Sequence, residues 1–133
     1  MVDAVQILQL FILALAVYRE ARGEPLQGKL AVAHVILNRV RDSRWPDTVR
    51  DVILQPYQFS AFNKNDSQCT VFPKAQYDKA WEESFSAAQD VLAGGVDLTH
   101  GCNHYFADTI DPPHWAAPEK HVITIGRHLF YKL

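Results

Sequence analysis

The stretch Tyr18-Arg19-Glu20-Ala21-Arg22-Gly23-Glu24-Pro25 decides how this chain is organised, because one helix runs into it and another leaves it. The run from Ile7 to Val17 is apolar apart from Gln9. Its apolar residues occupy most helical faces, which predicts a central rather than a surface helix. Asp3 suits the N-cap of this helix, which should run to about Arg22 with Gly23 ending it. Pro25 fits the first turn of a second helix, and Glu24 places negative charge at its amino end. That helix continues through Leu26, Leu30, Ala33, Leu37 and Val40, with Val32 and Ile36 widening the stripe. His34 lies among these apolar neighbours and is expected to be a packed core residue rather than a ligand.

Glu20 is the candidate functional residue, an acid at the end of a core helix, where packed interior meets a cleft. Burial disfavours an ionised carboxyl, so such a group can hold its proton near neutral pH and donate it to a substrate. A glycosidase acid needs that property. The competing reading is an ordinary capping or salt-bridged glutamate.

The chain has 133 residues, enough to bury one substantial core, and its 48% hydrophobic and 21% charged content is that of a globular domain. A net charge of −2 gives no electrostatic footprint for nucleic acid or an anionic membrane. Arg39, Arg41 and Arg44 cluster locally and read as a solvated helix end. Cys69 and Cys102 could bridge two loops or stay free thiols. Asp3 stands where a signal peptide carries Lys or Arg, and the apolar run is shorter than the roughly 20 residues that span a bilayer. A core helix without stable membrane insertion is expected.

Further along, Asp47 should cap a short third helix through Val49, Val52 and Ile53, ending before Pro56. From Pro56 to Phe72 the chain reads as irregular and polar. Pro73 then opens an amphipathic helix with Tyr77, Trp81, Phe85, Ala88 and Leu92 on one face, stopped by Gly94-Gly95. This aromatic stripe reads as core rather than as a sugar-binding surface. His121–Ile125 and His128–Tyr131 read as two short strands joined at Gly126-Arg127. The fold class is α+β, mainly helical, as a single domain over 1–133 with a small β-hairpin near its C-terminus.

The block from Tyr18 to Ala33, continued by Val35-Ile36-Leu37-Asn38-Arg39-Val40, resembles the SleB-type cell-wall hydrolases, the catalytic domains of spore-cortex-lytic enzymes and related bacterial and phage lysins. Weaker matches follow in order at Asp51-Val52-Ile53, Gln58-Phe59-Ser60-Ala61, Tyr105-Phe106, Trp115-Ala116, Thr124-Ile125-Gly126 and Phe130-Tyr131. The resemblance implies a lysozyme-like, lytic transglycosylase-like fold, and a reaction at the β-1,4 bond between N-acetylmuramic acid and N-acetylglucosamine of peptidoglycan. It identifies the first Glu of the Glu-Ala-Arg-Gly-Glu motif, Glu20, as the catalytic acid. Arg19 stands where many relatives have Gly; its guanidinium would either point away from the cleft or lower the Glu20 pKa.

Ordinary glycoside hydrolysis uses two carboxylates, about 5–5.5 Å or about 6.5–9.5 Å apart. Glu24, Asp51, Asp66 and Asp111 are the candidate partners, with Glu24 the nearest in sequence. None is visibly paired with Glu20, and a lytic transglycosylase needs only one acid, which favours that chemistry over a muramidase. Expected substrate contacts are Gln58 through its amide, Phe59, Tyr105 and Trp115 through their flat faces, and Arg22 toward a stem-peptide carboxylate. The expected partner is the glycan strand of peptidoglycan, with no nucleic acid, no cofactor and a monomeric state. Two other classes compete. His100, Cys102, His104, Asp108 and His114 offer metal-ligand types for a zinc amidase, although in no standard spacing. A non-catalytic glycan-binding or virion module is the other. The setting expected is a phage or prophage lysin made in the host cytoplasm and acting on the wall, or a domain of a longer secreted enzyme.

Overall fold

A computed structural model of the chain describes residues 3–55, 73 and 78–133. Four helices come first: α1 (Ala4–Ala21), α2 (Leu26–Val40), α3 (Val49–Ile53) and α4 (Lys79–Leu92). A three-stranded antiparallel sheet follows, β1 (His104–Ala107), β2 (His121–Ile125) and β3 (His128–Tyr131), in the order β1-β3-β2. The α+β, mainly helical class is as expected. The sheet is larger than the expected hairpin, because β1 pairs along the free edge of β3.

Asp3 caps α1 as expected, accepting from the Gln6 backbone while the Gln6 side chain accepts from the Asp3 backbone. The carboxyl half of α1 is central: Leu13, Ala14, Ala16 and Val17 are wholly buried against the other three helices. Its amino half is not, which corrects the expectation of a helix buried all round. Val5 and Leu8 are 71% and 69% exposed, and Phe11, half exposed, makes ring contacts with Trp81 and Phe85. The helix outruns the bundle that covers its other end.

Two cap assignments also change. Thr48, not Asp47, caps α3, its side chain accepting from the Asp51 backbone N–H. The N-cap of α4 is Asp78 rather than a start at Pro73. Its carboxylate accepts from Trp81 N through one oxygen and from the Tyr18 hydroxyl through the other, at 2.6 Å. A single aspartate thereby starts α4 and fastens it to α1. Trp81, Phe85, Ala88 and Leu92 pack into the core as the stripe predicts, while Tyr77 lies outside the described residues.

The arginine cluster divides. Arg41 and Arg44 are exposed, but Arg39 is buried, with Nε donating to Asn103 O at 2.7 Å. Arg39 continues the buried positions Val32, Val35 and Ile36 by helical spacing, so it enters the interior rather than solvent. Beside it, Asn38 donates to Asp97 Oδ2 and Cys102 O. Asp97 also gathers the Thr99 hydroxyl and the Thr99 and Gly101 backbone N–H groups. Consecutive residues of α2 thus tie down the loop that delivers β1. His34 is buried as expected.

Phe130 fills the space between sheet and helices and is fully buried. Replacing it with Ala should cost about 3–5 kcal/mol in urea unfolding. Val5→Ser and Leu8→Ser, on the uncovered half of α1, should each stay within about 0.5 kcal/mol of wild type. A large loss at either would show that this half is packed in solution.

Candidate active site

Glu20 falls on the last turn of α1, one turn beyond the buried Val17, and is half-buried with its Oε1 atom closed to solvent. Opposite it stands Tyr105 of β1, whose hydroxyl donates to Glu20 Oε2 at 3.2 Å. Strand alternation explains the approach. Tyr105 pairs with Phe130 and shares its face, toward the core, while His104 and Phe106 point the other way.

The Tyr105 ring rests 5.0 Å from His128 and 5.7 Å from Phe130, centroid to centroid. Burial first, and then the neighbouring Glu20 charge, push the Tyr105 phenol well above its ordinary value, with Arg39 opposing. Tyr105 is therefore protonated across the neutral range. A phenol hydroxyl both donates and accepts, so it can partner Glu20 as carboxylate and as carboxylic acid.

The remaining candidates are spread out. Trp115 packs 4.8 Å from His104, 5.9 Å from Phe106 and 5.4 Å from Tyr131, on the face of the sheet away from Tyr105 and Glu20. The structure does not bring it to the acid. Arg22 places its guanidinium 5.8 Å from the Tyr18 ring centroid. Arg19, beside the acid, is buried. Gln58, Phe59, Asp66 and Cys69 lie outside the described residues. Asp111 is exposed, and Asp51 is exposed and joined to Arg50 at 2.9 Å. The Glu24 carboxylate turns to the β2–β3 turn, accepting from Arg127 N at 2.7 Å, with His128 Nδ1 3.7 Å away.

The histidine and cysteine residues of the zinc alternative diverge. His104 stacks on Trp45 and Trp115 with Nδ1 on Asn103 Oδ1, and Cys102 is buried with its thiol pushed up to about 11, chiefly by burial. Among the described residues no three His, Cys, Asp or Glu side chains converge as a metal site.

The residues that sequence reasoning passed over are Arg39, His128 and Lys29. Helical spacing marks the first, and two-residue alternation with Phe130 marks the second. Nothing in the pattern around Lys29 announces a cation only 1% exposed, bonded to the Glu24 carbonyl and to Glu83 at 3.1 Å.

Comparison with known proteins places the chain in a family. The family model described as Cell Wall Hydrolase matches residues 23–131, beginning just past Glu20. The spore cortex-lytic enzyme of Oceanobacillus iheyensis is 38% identical over 121 residues, 91% of this chain and 40% of its own length. That of Bacillus subtilis is 35% identical over 120 residues, 90% of this chain and 36% of its own. The chain thus spans less than half the length of these curated relatives. The catalytic domain of the germination-specific lytic transglycosylase SleB from Bacillus anthracis superposes with a TM-score of 0.76 at 35% identity, covering 93% of each chain. The Bacillus cereus SleB catalytic domain gives 0.77 at 35% identity, covering 93% of this chain and 89% of that one.

Burial lowers the pKa of His34 and His128, and it lowers His104 to about 4 with help from Arg39 and Arg44. Unfolding restores the ordinary value near 6.5, so the unfolded chain binds more protons below it. Stability should therefore fall as pH drops from about 6.5 toward 4, with His104 contributing on the order of 1–2 kcal/mol after allowing for its partial exposure. Urea melts at stepped pH should show this slope and its flattening in His104→Phe. An unchanged slope in the variant would remove His104 from the account.

Proposed function

Since the chain belongs to the cell wall hydrolase family, we propose that it is a peptidoglycan glycosidase cutting between N-acetylmuramic acid and N-acetylglucosamine, with Glu20 as its single catalytic acid. The observation that carries this reading is the Glu20 carboxyl, one oxygen closed to solvent and the other held by the Tyr105 hydroxyl. Protonated Glu20 gives its proton to the glycosidic oxygen as the bond to the muramoyl C1 breaks. The carboxylate left behind then accepts the proton of the muramoyl 6-hydroxyl, whose oxygen closes on C1 to form a 1,6-anhydro ring. Proton and charge return to their starting places, and no water is consumed.

Two features favour this lytic transglycosylase course over hydrolysis. The matched Bacillus anthracis domain is itself a lytic transglycosylase. Among the described acids, Glu24 and Asp51 are engaged away from Glu20, by the hairpin turn and by Arg50. The reaction needs a base for the 6-hydroxyl only after the same group has served as acid, so one carboxyl suffices. Gln58 and Phe59, by their place in the resembling blocks, are proposed to contact the sugars. The place of action is the cell wall.

Glu20→Gln keeps the shape of the side chain and loses the transferable proton. It should lower turnover on purified peptidoglycan by about 10²–10⁴-fold while the fold, read by circular dichroism, is unchanged. Mass spectrometry of wild-type digests should show anhydro-muramic ends. Reducing muramic ends would assign a muramidase, free stem peptides an amidase, and full activity in Glu20→Gln would end the reading altogether.

A further inference from the structure

Glu24 is a glutamate whose side chain is only 9% exposed, at the corner between α1 and α2, and the proposed reaction gives it no proton to move. Its surroundings are built to admit it. A side chain at Gly28 would meet Glu24 Cβ at 3.0 Å, and one at Gly126 would meet Oε1 at 2.5 Å. Gly126 also holds φ at +59°, in the left-handed region that favours glycine. The carboxylate reaches into the β2–β3 turn and accepts from Arg127 N at 2.7 Å. Lys29, buried beneath, holds the backbone carbonyl of the same residue.

What Glu24 holds leads back to the acid by two short routes. Arg127 O accepts from Asp108 N at 2.8 Å, immediately after the last residue of β1. His128, the next residue, is opposite Ala107 of β1, and its ring supports that of Tyr105. The His128 side chain is 8% exposed, and its Nδ1, 3.7 Å from Glu24 Oε1, has no hydrogen-bond partner among the described residues. β3 lies between the other two strands, so fixing its turn fixes where β1 presents Tyr105.

We propose that Glu24 is a positioning residue: its carboxylate locks the β2–β3 turn to the α1–α2 corner and so sets the reach of Tyr105 to Glu20. This rests on the assignment of Glu20 as the acid. The two glutamates of one five-residue motif then divide the work, the first meeting substrate and the second placing the partner of the first.

The test compares wild type with Glu24→Gln, Glu24→Ala, Tyr105→Phe and the Glu24→Ala/Tyr105→Phe double variant on soluble, un-cross-linked glycan strands. Glu24→Gln keeps an oxygen for Arg127 N–H and should hold kcat within about threefold of wild type, whereas Glu24→Ala should lose about 10–100-fold in kcat with KM nearly unchanged. The double variant should be no slower than the slower single, because both act through one contact. Glu24→Ala and Tyr105→Phe should distort the pH–rate profile in the same way. Multiplying losses in the double variant would overturn the proposal, as would a Glu24→Gln as inactive as Glu20→Gln, which would make Glu24 a second catalytic carboxylate.

If Glu24→Ala does not fold, Gly126→Ala takes its place, since it crowds the same oxygen without removing it. Urea unfolding of the same set needs no substrate. Coupling between positions 24 and 105 there supports the positioning role even if Glu20 proves not to be the acid, and its absence there counts against the role with an active enzyme in hand.

Discussion

The hydrogen bond from the Tyr105 hydroxyl to Glu20 joins the last turn of the first helix to the first strand of the sheet, two elements far apart in sequence. Each end of it is fixed by interactions of a different kind. On the helix side, Leu13, Val17 and Ala21 are buried in the core, and the Tyr18 hydroxyl is fastened to the cap of α4. On the strand side, Tyr105 is backed by Phe130 and His128, and its strand enters from a segment held by Asn38 and Arg39. A displacement of about 1 Å between a catalytic acid and its partner is enough to lose much of the rate, so this double anchoring is what the proposed chemistry requires of the fold.

The sheet has two faces with separate occupations. Tyr105, His128, Phe130, Ile123 and Ile125 face the helices. His104, Phe106 and Tyr131 face outward, where Trp45 and Trp115 cover them with edge and tilted ring contacts. An antiparallel sheet can leave one face to solvent, but a strand of four residues gains little from pairing alone. Covering the outer face with aromatic surface stabilises the strand that carries Tyr105. It also keeps His104 neutral, since burial and the nearby Arg39 and Arg44 oppose its protonation.

The helices were legible because their signals are local. Asp3, Gly23, Pro25 and the three-and-four spacing of α2 place the corner and the acid within a residue or two. β1 was not legible as a strand, because its four residues are too few to show alternation, and its pairing partner lies over twenty residues on. By residue type Tyr105 offers a flat ring, whereas in the structure its hydroxyl meets Glu20; only the strand's register reveals which end of the side chain does so. The same register separates Trp115 from the acid, which no spacing in the sequence encodes. Arg39 read as solvated by residue type, although its helical phase already pointed inward. Tertiary closure decided these cases.

The corner motif also bears on why one acid should be enough. A second carboxyl acting on water must stand across the scissile bond, and must be free to give up its own hydrogen bonds at the moment of reaction. Glu24 is not free in this way: its side chain is nine-tenths buried and bonded to a backbone N–H, in space that Gly28 and Gly126 leave for it. Withdrawing it would strand the Arg127 N–H and open the turn beneath Tyr105, a cost of the usual kind for an unpaired polar group. With the neighbouring carboxylate committed to the hairpin, the proposed reaction, in which the sugar supplies its own nucleophile, asks no chemistry of Glu24. In that proposal the Tyr105 hydroxyl, which both donates and accepts, partners Glu20 before the leaving oxygen takes the proton and after the 6-hydroxyl returns it.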